Sequence, residues 1–217
     1  MLGVCLIGSV ARGDDVAGSD IDLLVVAEKK VRRSELISRL PEDLRRRELS
    51  LICYARSDWI AEAQAGSLFV HHVRLEGQPL FDRDGSLKAG FQAAAARRPN
   101  VEAELRRQVS RLRLYSDPAR LNGQHLFALS HLYAIGKAVA IARCVELNEP
   151  TFVKEEALTR LGQRRPDLAD AVRAVALLRP FYDLTRERGD EPLPFEPVNV
   201  QHRVVDASAA IERLAYG

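Results

Sequence analysis

The sequence has few cysteines. Cys5, Cys53 and Cys144 are far apart, and no C-x-x-C pair occurs. An odd set of scattered thiols argues against a disulfide framework and against a thiolate zinc site. Each thiol lies among apolar residues, so all three read as small buried hydrophobes of a cytoplasmic protein. Runs of apolar residues long enough to cross a bilayer are lacking, and no membrane partner is expected. Met1–Ile7 is apolar but has neither a basic leader nor an extended hydrophobic region, so it does not read as a signal peptide. Charge of one sign is also missing: 32 Lys and Arg face 30 Asp and Glu, for a net charge of +2. Such a balance implies no broad basic surface and no long nucleic acid held by bulk electrostatics. HExxH, Gly-x-Ser-x-Gly and GxGxxG are absent, so nothing supports zinc hydrolysis, serine acyl transfer or a Rossmann site. Internal repeats and low-complexity tracts are absent as well.

What is present is an ordinary globular composition of 217 residues, 47% hydrophobic and 29% charged. That length suits one large or two small domains. The first part carries short strand-like runs: Met1–Ile7, Ile21–Val26 and Glu48–Tyr54, with Gly77–Asp82 as a possible edge strand. In the third run Leu49, Leu51 and Cys53 alternate with Glu48, Ser50 and Ile52. A charged, helix-compatible stretch covers 32–47, and Ser57-Asp58 offers a cap to a short helix. From about residue 87 the pattern turns helical, over 101–115, 124–147, 154–161, 169–188 and 204–216, broken by turn material at 116–118, 148–150 and 165–166. A Pro-rich connector fills 189–197. The expected fold class is α+β: a small mixed sheet with flanking helices over 1–86, then an all-α helical bundle over 87–217.

The stretch LIGSVARGDDVAGSDIDLLVV, residues 6–26, carries the chemistry. A strand ends at Ile7 and the chain turns at Gly8-Ser9, where small residues let backbone amides approach a ligand. A helix starting near Val10 would aim its free N–H groups at the same point, which suits a phosphate. Arg12 would add positive charge. Asp20 and Asp22 follow. Residues i and i+2 of a strand share a face, so the two carboxylates lie side by side. Such neighbours repel unless a cation lies between them. An oxygen-only donor set of this kind suits Mg²⁺, whose remaining ligands are waters and phosphates. Glu48, at the start of the next strand, would add a third carboxylate, as a ligand to a second metal or as a general base.

These residues resemble the signature of the DNA polymerase β-like nucleotidyltransferase superfamily: Gly-Ser, ten residues, then Asp-x-Asp between apolar strands. The nearest branches are the minimal nucleotidyltransferases and the aminoglycoside adenylyltransferases. The resemblance implies that Asp20 and Asp22 bind Mg²⁺ with a nucleoside triphosphate. It also implies that Gly8 and Ser9, with Arg12 and Ser19 nearby, grip the phosphates. ELSLICY matches the family's third-acid strand at Glu48. The helical half is similar in layout to the C-terminal domain of the aminoglycoside enzymes. That likeness implies a basic residue facing the triphosphate: Lys137, Lys154 or Arg143.

The implied activity is transfer of AMP from ATP to a hydroxyl of a small, aminoglycoside-like molecule. Glu146, Glu149, Glu155 and Glu156 are candidates for an acidic pocket that would favour a cationic acceptor. The alternatives are a protein- or RNA-modifying enzyme of toxin–antitoxin type and an inactive nucleotide- or partner-binding module. Arg120-x4-His125 has the spacing of the HEPN-type ribonuclease motif but reads as a capping or solvated pair. His71-His72 offers an imidazole near the cleft, against the commoner reading as half-buried helix packing, and His131 reads as a satisfied core histidine.

Overall fold

The computed structural model describes residues 1–15, 19–38, 42, 49–115, 117–185 and 199–217. Two compact units divide the chain, Met1–Asn100 and Val101–Gly217.

In the first unit a four-stranded sheet has the order β3-β2-β1-β4. The strands are β1 (Gly3–Ile7), β2 (Ile21–Ala27), β3 (Leu49–Ala55) and β4 (Gln78–Asp82). β1 runs antiparallel to β2 and to β4, whereas β2 and β3 are parallel. The sheet is therefore mixed, and the 77–82 run is an edge strand. Strand alternation sorts the side chains. Cys5, Ile7, Leu24 and Val26 enter the core, with Ile52 and Tyr54 packed against it. Val4, Leu23, Val25 and Leu51 line the opposite face.

Helices α1 (Gly8–Arg12), α2 (Arg33–Ser38), α3 (Arg56–Gln64), α4 (Leu68–Glu76) and α5 (Ser86–Ala95) complete the unit. α2 falls inside the expected 32–47 stretch, of which 39–41 and 43–48 lie outside the described residues. α3 begins before the expected Ser57-Asp58 cap, because β3 runs straight into it from Ala55 with no side-chain cap. α5 has no counterpart among the expected helices. Its first turn is held by carboxylates: Asp82 accepts from the amides of Leu87 and Lys88 at 3.0 and 3.1 Å, and Asp84 accepts from the Ser86 amide and hydroxyl. α5 packs on α3, α4 and β1, which places 87–100 with the first unit rather than with the helical half.

Gly90 explains part of that packing. A Cβ there would lie 2.0 Å from Nε1 of Trp59, a fully buried side chain. Alanine is the better helix former by about 1 kcal/mol, yet Gly90→Ala should destabilise the protein by about 1–3 kcal/mol through overpacking. A lowered urea midpoint would show it.

The second unit is helical: α6 (Val101–Leu112), α7 (His125–Glu146), α8 (Lys154–Arg164), α9 (Ala169–Ala176), α10 (Arg179–Leu184) and α11 (Val200–Tyr216). The single helix expected over 169–188 is split. Pro180 lacks an N–H and its ring would clash with the carbonyl of residue 176, so α9 ends there and Pro180 sits in the first turn of α10. α7 is long and apolar enough to cross a membrane by length and composition, contrary to the expectation from its apolar runs. Here it is the central helix, packed against α6, α8, α9, α10 and α11. A helix surrounded on most sides is apolar on most sides. His131 differs from expectation too. It is exposed on α7, and its Nδ1 hydrogen-bonds the Tyr115 hydroxyl at 2.8 Å. It is satisfied, but at the surface.

The cysteines are free. Burial pushes the Cys5 and Cys144 thiols up to about 11, and it raises the half-buried Cys53. A thiol reagent at pH 8 should therefore reach Cys53 first. Cys5 and Cys144 should react only after unfolding, as quantified by absorbance in native and denaturing buffer.

Candidate active site

The site starts where β1 ends. Gly8 takes φ +76°, a left-handed conformation that glycine adopts freely and other residues do not. It turns the chain into α1, and α1 stops at Gly13, also left-handed, whose amide donates to Ser9 O at 2.9 Å. The β1–β2 register sets Ile7 opposite Asp22. The glycine corner and the aspartate are consequently neighbours. A Cβ on Gly8 would stand 2.4 Å from Oδ2 of Asp22.

Asp22 is the second residue of β2, and Asp20 stands one residue before the strand. Both are half-buried, as is Ser19. Asp22 shares its sheet face with Leu24 and Val26, so it forms the polar end of a row that is otherwise core. Its partner on β3 is Ser50. Glu48, the expected third acid, lies outside the described residues. Among the described residues no group of three His, Cys, Asp or Glu side chains is placed to hold a metal. The carboxylate the structure sets beside the Gly8 corner is that of Asp22, with Asp20 two residues earlier in the chain. A carboxylate oxygen is the donor type a hard divalent ion takes.

Arg12 is not a free phosphate ligand in this arrangement. Its guanidinium lies 3.1 Å from Glu76 Oε2 and 3.2 Å from Asp14. Glu76 also lies 3.3 Å from Nε2 of His72, one helical turn earlier in α4. Burial raises the Glu76 carboxyl, but the hydrogen bond and charge of His72 and the charge of Arg12 outweigh it and hold the group below its ordinary value. The stability it contributes is thus present above the ordinary glutamate range and is lost as pH falls through the depressed value. Glu76 and Gln78 were not anticipated beside the corner, whereas the sequence offers the His71-His72 pair as an imidazole near the cleft. The only sequence signal was the His72-x3-Glu76 spacing, which puts both on one helix face.

In the helical unit, Lys137 is 5% exposed, with Nζ 3.9 Å from the Tyr182 ring centroid and 4.5 Å from that of Tyr133. Lys154 opens α8, and its side chain is outside the described residues. Arg143 pairs with Glu146 at 2.5 Å. Glu149 pairs with Arg164, and Glu156 accepts from Thr151 and pairs with Arg160. Glu155, like Lys154, has its side chain outside the described residues. The candidate acidic pocket is therefore compensated by arginines wherever it is described. Arg120 is exposed and pairs with Asp117 at 3.1 Å, which agrees with a surface pair.

The family model for polymerase beta nucleotidyltransferases matches residues 1–86. Over those residues the chain is similar to a nucleotidyltransferase domain. The matched residues hold the Gly8-Ser9 corner, Asp20, Asp22 and the mixed sheet. No curated protein matches the chain. The nucleotidyltransferase family generally uses a nucleoside triphosphate and a divalent metal.

Proposed function

We propose that the chain transfers AMP from ATP to a hydroxyl of a small molecule. The observation that carries the reading is the juxtaposition of the Gly8 corner with Asp22, which leaves no space for a side chain at Gly8. Asp20 and Asp22 would hold Mg²⁺. When bound, the ion offsets the negative charge of the phosphates. Gly8 and Ser9 would receive the phosphates on the amides at the start of α1, which have no partner within the helix. Ser19 stands beside Asp20 as a further hydroxyl donor. Glu48 directly precedes β3 in sequence. It would take the acceptor's hydroxyl proton as a general base, or else complete the metal's ligands.

In the transfer, the acceptor oxygen bonds to the α-phosphorus. The bond from that phosphorus to the bridging oxygen breaks, and pyrophosphate leaves with the electron pair. The acceptor proton passes to Glu48 and then to solvent. Positioning and charge supply most of the acceleration in such a reaction. The arginine pairs at Glu146, Glu149 and Glu156 give no support to a cationic acceptor, so the acceptor screen must include protein and RNA.

The test incubates the protein with Mg²⁺ and each α-labelled nucleoside triphosphate in a fractionated lysate. Label from ATP retained in the small-molecule fraction, with pyrophosphate release, is expected. Label on protein or RNA would replace the acceptor class. Nucleotide binding without pyrophosphate release in any fraction would favour an inactive binding module.

A further inference from the structure

The phosphate corner opens onto a helix that cannot hold itself in place. α1 has five residues, of which only Ala11 is buried. An isolated helix of that length does not persist in water. Its far end is tied down instead. Gln78 of β4 donates from Nε2 to the Ala11 carbonyl. Arg12, the last residue of α1, meets Glu76 at the end of α4, and Glu76 is braced by His72. The side chains of Arg12, Glu76 and His72 are only 16, 20 and 22% exposed, so this network is largely withdrawn from water. The groups facing it are Arg12 and Asp14 from the α1 end and the His72 imidazole and Glu76 from α4.

We propose that Glu76 is a positioning residue of the triphosphate site: by holding Arg12 it fixes α1, and through α1 the Gly8-Ser9 corner. The proposal rests on the nucleotidyltransferase reading and deepens it. It also assigns Arg12 a role different from direct phosphate contact. At a rise of 1.5 Å per residue, the Arg12 end of α1 stands about 6 Å along the axis from the Gly8 end. The guanidinium is held there by two carboxylates. A tether and a phosphate ligand predict opposite results when Glu76 is removed. If Glu76 holds α1, its loss loosens the corner and weakens triphosphate binding. If Arg12 is a phosphate ligand restrained by Glu76, its loss frees the arginine and tightens binding.

The experiment measures affinity for Mg²⁺·ATP and Mg²⁺·tripolyphosphate by calorimetry in the wild type, Arg12→Ala, Glu76→Ala and the double variant. Hydrogen exchange at the Gly13 and Asp14 amides, which both donate to Ser9 O and close α1, is followed in parallel. Expected for Glu76→Ala is binding about 10-fold weaker for both probes and exchange about 10-fold faster at those two amides, with β3 amides unchanged. The double variant should be no weaker than the worse single one, as for two residues acting through one contact. Unchanged or tighter binding in Glu76→Ala, or fully additive losses, would overturn the proposal. If the wild type binds neither probe, the nucleotidyltransferase reading fails. The exchange data then decide the tether alone: faster exchange supports it, and unchanged exchange overturns it.

Discussion

Asp22→Asn is expected to lower nucleotidyl transfer by about 10³-fold or more, which is about 4 kcal/mol of transition-state stabilisation. Asp20→Asn should do the same. Asparagine keeps the shape of the side chain and removes only the charge that, on the proposed function, would draw a cation to the site. Because Asp22 is half-buried at a strand end rather than in the core, the fold should survive. Relieving the repulsion between two neighbouring carboxylates should leave the metal-free melting temperature unchanged or slightly raised. Magnesium then separates this outcome from a structural one. Any ion that binds only the folded protein stabilises it, by about 2.7 kcal/mol at a hundred times its Kd. The wild type should therefore melt higher as Mg²⁺ is added, and Asp22→Asn should not. Full activity in the variant, or an undiminished response to Mg²⁺, would remove the aspartates from the mechanism.

The parts of this protein that were legible in the sequence are those built from neighbouring segments. β1, the Gly8 corner and β2 follow one another, and antiparallel pairing of consecutive strands brings Ile7 to Asp22 with no distant partner required. The period-2 alternation of β3 sorted Ser50 and Ile52 from Leu51, with Ile52 packed on the core and Leu51 on the opposite face, although all three are half-buried. What was not legible depends on chain brought from far away. Arg12 and Glu76 are 64 residues apart, and nothing local to GSVARG says that its arginine will be taken by α4. Lys137 reads as a cation on an apolar helix, and only the arrival of α10 shows that Tyr182 covers it. α5 was hidden for a different reason. Gly90 weakens its helical pattern, and its first turn is capped by Asp82 and Asp84, which precede it in a strand and a turn. The glycine is there for Trp59, a tertiary requirement that overrides local propensity.

Gly8→Ala should be the most damaging single-methyl change in the first unit. Two costs add. A φ of +76° costs an L-residue about 1–2 kcal/mol. In addition the new Cβ would fall 2.4 Å from Asp22 Oδ2, closer than any real contact, so the carboxylate or the corner must move. A shift of about 1 Å at a reacting centre costs about 10²-fold in rate. The expected result is a stability loss of about 2–3 kcal/mol together with a fall in activity of 10²-fold or more, read from urea melts and pyrophosphate release. Gly85→Ala supplies the comparison. Gly85 has φ +74°, almost the same strain, but a Cβ there meets nothing within 4 Å. It should lose about 1 kcal/mol of stability and keep its rate. Any excess loss of rate in Gly8→Ala over Gly85→Ala measures the contact with Asp22 rather than the backbone. If the two variants lose activity equally, the corner and the aspartate are not working as one site.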